Sequence, residues 1–240
     1  MAYGLEVRNN SNFIQFSTEI NANYGLSNSG SFTSAGRTGS AGEEEPTATT
    51  INVSGVSSAS DIIVAFRPAT ATGDGIYGKM NTVAGRFTIY SDYNGTIYWR
   101  VYKKSTLLSV PTSGYGITVL NSAGTGLLFS SNYPPASFAT ILTVNLGTSS
   151  IVTYNHSDSA LPWALIAGMD LISEESYWED NEDGDGLGTG QIAHLGVAWN
   201  SGTQLQTIDV VSEFSSILES AFNGYGFLGA SKKIGILRGY

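Results

Sequence analysis

Tyr3-Gly4-Leu5-Glu6-Val7-Arg8-Asn9-Asn10-Ser11-Asn12-Phe13-Ile14-Gln15-Phe16-Ser17 returns, a little changed, as Tyr115-Gly116-Ile117-Thr118-Val119-Leu120-Asn121-Ser122-Ala123-Gly124-Thr125-Gly126-Leu127-Leu128-Phe129-Ser130. Tyr, Gly, Val, Asn, Phe and Ser recur in order, Leu5/Ile117 and Ile14/Leu127 are conservative exchanges, and one residue is inserted in the second turn. Each copy has apolar residues in alternation on either side of an Asn- or Gly-rich cluster. That is the pattern of a β-hairpin, because Asn and Gly tolerate positive φ. A repeat spaced by roughly a hundred residues is too long for a solenoid and suits two domains in tandem. The expected fold is all-β: two related β-sandwich modules, residues 1–110 and 111–240, with the boundary near Ser109-Val110-Pro111-Thr112-Ser113-Gly114.

The rest of the chain fits this reading. Period-two alternation dominates. Thr50–Val53, Asp61–Phe66, Phe87–Tyr90, Ile97–Tyr102, Leu142–Leu146, Ala164–Ile166 and Ile192–Trp199 read as strands. Ser27–Gly42, followed by Glu43-Glu44-Glu45-Pro46, reads as a long loop. Asn94-Gly95 is the strongest short-range hairpin signal and predicts that Phe87–Tyr90 pairs with Ile97–Tyr102. Phe87, Ile89, Ile97, Trp99 and Val101 would then share the core face, while Tyr90, Tyr98, Arg100 and Tyr102 point away from it. His194–Trp199 is a loose counterpart of Trp99–Tyr102. Residues 209–223 stand apart: Val210, Phe214, Ile217, Leu218 and Ala221 recur at helical steps, with Asp209 as N-cap and Gly224 as stop. The reading there is a short amphipathic helix, with a strand as the alternative because Val210, Val211 and Ile217 are β-branched.

Composition narrows the function classes. The 240 residues include no cysteine, so no disulfide or thiolate metal site can form. Met1 leads directly into the first alternating run, which does not look like a secretory signal, and no apolar stretch has the length of a membrane span. The net charge of −9 sits wholly in residues 111–240, with three basic and twelve acidic side chains; residues 1–110 carry eight of each. Eight of the acids fall between Asp170 and Asp185 with no Lys or Arg among them. Nucleic acid is therefore not an expected partner, since phosphate binding needs a basic patch.

Catalytic and metal motifs are weak. Asn181-Glu182-Asp183-Gly184-Asp185-Gly186 matches the front of a calcium loop, which makes Asn181, Asp183 and Asp185 the candidate metal ligands. Asn181 stands where Asp is usual, and the twelfth position is Ile192, which offers no carboxylate. The competing reading is an acidic loop held open by repulsion, or one that meets a basic partner. His156 and His194 lack zinc-site spacing, and His156-Ser157-Asp158 are adjacent residues that cannot converge as a triad. Glu174, Glu175 and Glu179 are candidates for a glycan-cleaving carboxylate pair, which folding and not spacing would set. The chain is read as a non-enzyme without a cofactor. Aromatic residues are plentiful: Tyr90, Tyr93, Tyr98, Tyr102, Trp163, Tyr177, Trp178 and Trp199 suit either sugar stacking or burial at sheet and subunit contacts. Tyr90, Tyr98, Tyr102 and Trp178 are the candidate glycan or interface residues.

Met1–Ser17 and Tyr115–Pro134 resemble structural proteins of tailed-bacteriophage tails. Small tail-tip and tail-fibre proteins open with Met-(Ala/Ser)-Tyr-Gly-Leu and carry a hairpin of valine, asparagine, a glycine turn, phenylalanine and serine. This chain has Phe16-Ser17 and Phe129-Ser130 where Phe-Asp-Ser is usual. The resemblance covers about a sixth of the chain. It implies a non-enzymatic virion component at the tail tip, baseplate or fibre, assembled from three or six copies around the tail axis, holding other tail proteins and able to take part in host attachment. The alternative from a different class is a carbohydrate-binding module for a host surface glycan. The repeated Tyr-Gly admits two readings as well, a core hairpin of a sandwich or an assembly surface.

Overall fold

In the first half of the chain the strands are β1 (Glu6–Arg8), β2 (Ile14–Ser17), β3 (Tyr24–Ala35), β4 (Arg37–Thr38), β5 (Glu45–Asn52), β6 (Ile62–Pro68), β7 (Thr72–Met80), β8 (Arg86–Ser91) and β9 (Asn94–Lys104). In the second they are β10 (Thr118–Leu120), β11 (Leu127–Ser130), β12 (Phe138–Val144), β13 (Thr153–Asn155), β14 (Trp163–Leu165), β15 (Leu171–Trp178), β16 (Gly188–Ser201), β17 (Gln204–Ile217) and β18 (Lys232–Leu237). The computed structural model describes residues 6–8, 14–17, 23–39, 44–113, 115–121, 123–144, 151–166, 171–178, 188–217 and 232–239, and for β1, β2, β15 and parts of β16 and β17 the backbone alone. The chain is all-β, as its alternation predicts.

Two large sheets pack face to face. One has the order β12-β18-β14-β6-β9-β3; the other runs β13-β17-β16-β7-β8-β5-β4, with β15 also paired to β16. Apart from β4 and β15, each half supplies three neighbouring strands to each sheet, and the orders match outward from a central seam. β6, β9 and β3 mirror β14, β18 and β12, while β7, β8 and β5 mirror β16, β17 and β13. At the seams Ala65 lies opposite Leu165 and Ile76 opposite Val197, both in antiparallel pairs. Antiparallel pairing is what a local two-fold produces, so the halves are related by a pseudo-dyad. Even the irregularities repeat. The β3/β9 ladder slips between Leu26 and Asn28, and the β12/β18 ladder slips between Phe138 and Thr140, opposite Tyr102 and Leu237 respectively. Ser91 and Thr207, opposite Ile76 and Val197, are both fully buried and both satisfied locally. Ser91 Oγ accepts from Tyr93 N–H at 3.0 Å, and Thr207 Oγ1 from Val152 N–H at 2.7 Å. The halves are not two separate bodies: they share both sheets.

Between the sheets Phe66, Ile76, Phe87, Ile89, Ile97, Leu205, Ile234 and Ile236 are buried around Trp199. The Trp199 indole N–H donates to Pro162 O at 2.8 Å, so the largest core side chain carries no unpaired donor. A second cluster covers the other face of the six-stranded sheet, and its members fall into equivalent pairs: Tyr24 with Ala136, Leu26 with Phe138, Ile63 with Trp163, Ala65 with Leu165, Tyr102 with Leu237. This sheet curls until its edges meet. Leu26 N–H donates to Pro134 O at 2.9 Å, and Gly25 bridges Pro135, which leads into β12. Gly25 is required there, because a Cβ would lie 2.7 Å from that of Tyr133.

Three sequence expectations are corrected. Residues 209–217 are strand, not helix: Val210 is fully buried opposite His194, and the ladder with β16 runs on to Ile217. The β-branched residues there decide the outcome; positions 218–223 lie outside the described residues. The Ser/Gly-rich run from Ser27 is no loop but most of the twelve-residue β3, whose small residues let Trp99 lie across Gly30. Asn94-Gly95 makes no hairpin either. β8 pairs with β5 and β7, β9 with β3 and β6, so the chain crosses from one sheet to the other between them. Phe87, Ile89, Ile97 and Val101 still meet in the core, but across the sandwich, with half-buried Trp99 edge-on to Phe87 at 6.1 Å.

Candidate functional site

Outside the two large sheets stand two two-stranded hairpins, β1–β2 and β10–β11, and they are the repeated sentence of the sequence. Their described strands pair in the same register. Glu6, Val7 and Arg8 face Ser17, Phe16 and Ile14; Thr118, Val119 and Leu120 face Ser130, Phe129 and Leu127. Each ladder skips one residue at the same place, Gln15 in the first and Leu128 in the second.

The second hairpin shows why its residue types recur. Asn121 closes the turn: its side-chain Oδ1 accepts from the N–H groups of Thr125 and Gly126, both at 3.1 Å, and its own N–H donates to Gly126 O at 2.8 Å. Gly124 supplies the positive φ of +72° that the turn needs. Ser130, buried at the far end, accepts from Asn132 N–H through its Oγ, and Tyr133 N–H donates to its carbonyl at 3.0 Å. Leu127 is buried and lines a small cleft together with Tyr24, Gly25, Leu108, Tyr133 and Pro135, where the hairpin meets the end of the six-stranded sheet.

The segment that leads into the hairpin is exposed. Tyr115 is fully exposed and Ile117 is 67% exposed, with Leu120, Leu107 and Val110 also open to solvent. Five of the exposed large apolar side chains thus lie within residues 107–120. Gly116 packs so closely on Ser131 Oγ that a Cβ would collide with it, and the Ile117 backbone is tied to Ser131 in both directions, at 2.9 and 3.0 Å. The Tyr115 ring is therefore presented by an anchored backbone. Tyr3 and Gly4 lie outside the described residues.

The other candidates fall in different places. Tyr90 is half-buried and stacks on Tyr77 at 4.5 Å, with His194 on the other side of Tyr77 at 4.4 Å; this three-ring column crosses β8, β7 and β16. Tyr102 is buried in the second cluster, against the expectation that it faces outward with Tyr90 and Tyr98. Tyr98 is 39% exposed. Trp178 ends β15, whose side chains are outside the described part, and so are Asn181, Asp183 and Asp185. Among the described residues no cluster of three or more His, Asp or Glu is placed to hold a metal. His194–Trp199 does not correspond to Trp99–Tyr102; the strand order makes Gly196-Val197 the counterpart of Gly75-Ile76. Sequence reading missed the grouping of Arg67 and Arg100 around Trp163, which no linear motif signals.

His156 is buried with neither ring nitrogen hydrogen-bonded. Burial holds its pKa below the ordinary value, opposed in part by the nearby Asp158 charge. A depressed folded value means the neutral form is the one that folds. Its contribution is complete above about pH 6.5 and is lost as pH falls toward the folded value. Thermal melts between pH 7.5 and 5 should show Tm falling with acid, and His156→Phe should reduce that fall. An unchanged slope in the variant would assign the acid sensitivity elsewhere.

Comparisons of the chain with protein-family models, with curated proteins and with solved structures gave no match.

Proposed function

We propose that this protein is a non-enzymatic structural component of a bacteriophage tail, at the tip, baseplate or fibre, and that it works by self-association through its repeated hairpins. The observation that carries the reading is the exposed apolar segment that leads into β10, centred on Tyr115 and Ile117. A two-stranded hairpin is marginal in isolation, yet this one is anchored through buried Leu127 and leaves large apolar side chains in water. Covering each would contribute roughly 1.5–3 kcal/mol. The occupant this reading selects is a second copy of the chain, because every copy carries two hairpins of one backbone design. Similar surfaces can meet across a symmetry axis, or head to tail around a ring. The resemblance of Met1–Ser17 and Tyr115–Pro134 to tail proteins supplies the virion setting.

The test is the particle. Peptides of this chain should be found in purified virions at a fixed copy number, and antibody should label the tail. A chain abundant in infected cells but missing from particles would overturn the reading. The carbohydrate-binding alternative draws on Tyr98, the exposed one among the described members of its proposed aromatic set, and silence on a glycan array would remove it.

A further inference from the structure

Two arginines of an acidic protein share one tryptophan. Arg67 on β6 and Arg100 on β9 lie on the face of the six-stranded sheet that carries the second cluster, Arg67 opposite Tyr98 and Arg100 opposite Ala65. Their guanidinium carbons sit 4.6 and 4.3 Å from the centre of the Trp163 ring. Arg67 Nη1 donates to Leu161 O at 2.7 Å, but Arg67 Nε and Trp163 Nε1 are buried without any partner. Among the described residues no carboxylate forms an ion pair with either arginine. Burial lowers the pKa of Arg67, and the charge of Arg100 pushes it the same way, which marks two like charges held close together.

The pseudo-dyad gives an independent reason to look here. The packing residues of this face come in equivalent pairs, but the arginine site does not. The strand register makes Gly235 the counterpart of Arg100, and there Leu165 Cδ1 lies 2.6 Å from where a Cβ would be. One half closes the position with tight apolar packing while the other places a guanidinium on it, so packing alone does not call for the charge. Buried unsatisfied donors in a native protein call for an explanation, and an unseen ion is one of the few available. Here the donors belong to the Arg67 cation and the Trp163 indole, neither of which can accept a hydrogen bond, and the Arg100 cation lies on the same ring.

We propose that Arg67, Arg100 and Trp163 form a binding site for a single oxyanion group (carboxylate, sulfate or phosphate) carried by a small molecule. Such a group accepts only, suits the planar guanidinium fork and neutralises the repulsion between the two arginines. The site is independent of the hairpin surface and of the assembly reading.

Thermal melts and calorimetric titrations with sodium sulfate, sodium phosphate and sodium glucuronate, each against sodium chloride at equal ionic strength, test it. At least one anion should give a saturable rise in Tm beyond chloride. Arg100→Gln should weaken that binding by about tenfold or more, Arg100→Lys by less, and Arg86→Gln not at all, since Arg86 is an exposed residue bonded to Asn52 at 2.8 Å. General salting effects of sulfate do not saturate and would be common to all variants. Tighter binding of sulfate or phosphate would identify an inorganic ligand, and tighter binding of glucuronate a sugar acid. No saturable response from the unaltered chain, or an undiminished one in a folded Arg100→Gln protein, would overturn the proposal.

Discussion

Trp199→Ala should cost about 3–5 kcal/mol of folding stability, the range for removing a large aromatic from a closed core. Trp199 is fully buried on β16, and its ring meets Phe66 edge-on at 5.9 Å across the sandwich. Its strand is the one that joins the second half to β7 of the first, through Trp199 opposite Thr72 and Val197 opposite Ile76. The substitution would open a cavity at the seam and also leave Pro162 O without the indole donor. The loss is large against the roughly 5–15 kcal/mol that holds a typical domain. Urea unfolding followed by circular dichroism measures it. Because the halves share both sheets, unfolding should remain one transition with a lowered midpoint. A loss below about 1 kcal/mol would show that the seam is not packed around this ring.

The second large effect concerns association and leaves folding alone. Tyr115→Ala combined with Ile117→Asp should weaken self-association by about a hundredfold or more, because a carboxylate would be buried where an apolar side chain now sits, and aromatic anchors dominate interfaces. Both side chains are exposed in the single chain, so its melting temperature should barely move; surface changes of this kind stay within about 0.5 kcal/mol. The split between the two readouts is the informative part. Sedimentation of the variant beside the unaltered chain measures one and a thermal melt the other. A parallel loss of both would mean that the hairpin is a folding element, while unchanged association would move the contact elsewhere.

Much of the fold is legible in the repeated hairpin. Val, Asn, Phe and Ser recur because each serves the hairpin locally. Val and Phe form the two sides of each ladder, and in the second copy Asn121 closes the turn and Ser130 makes the bonds at the exit. Local roles leave local signatures, so hairpin, register and turn can be read directly. What lies beyond the hairpin is set by distant contacts. Asn94-Gly95 carries a strong turn signal, yet whether the strands on either side pair or diverge depends on which sheet receives each one. Val210 and Phe214 keep a helical spacing by accident, and Val210 is buried because β16 lies beside it. Ser27–Ala35 has Phe32 as its one large apolar residue, since β3 stands at the edge of its sheet and must admit Trp99 over Gly30. The interleaving of the two halves is invisible for the same reason: nothing in the sequence around Ala65 and Leu165 states that they face each other.

The candidate sites divide along the same line. Tyr115 and Ile117 belong to the repeat, and their exposure is what turns a repeated hairpin into a surface. Tyr102 departs from its expected place because alternation assigns a face but not what covers it: the six-stranded sheet curls, and its second face is covered at Tyr102 while Tyr98 on the same face stays exposed. Arg67, Arg100 and Trp163 come from strands far apart in the chain, so only the assembled ladder brings them together.

Sedimentation equilibrium of the unaltered full chain, from sub-micromolar to high micromolar concentration, bears most directly on the claim that this duplicated β-unit works by assembling with itself. The account predicts a discrete species at a small multiple of 25.3 kDa, one that dissociates on dilution. A single 25.3 kDa species across the whole range would contradict it.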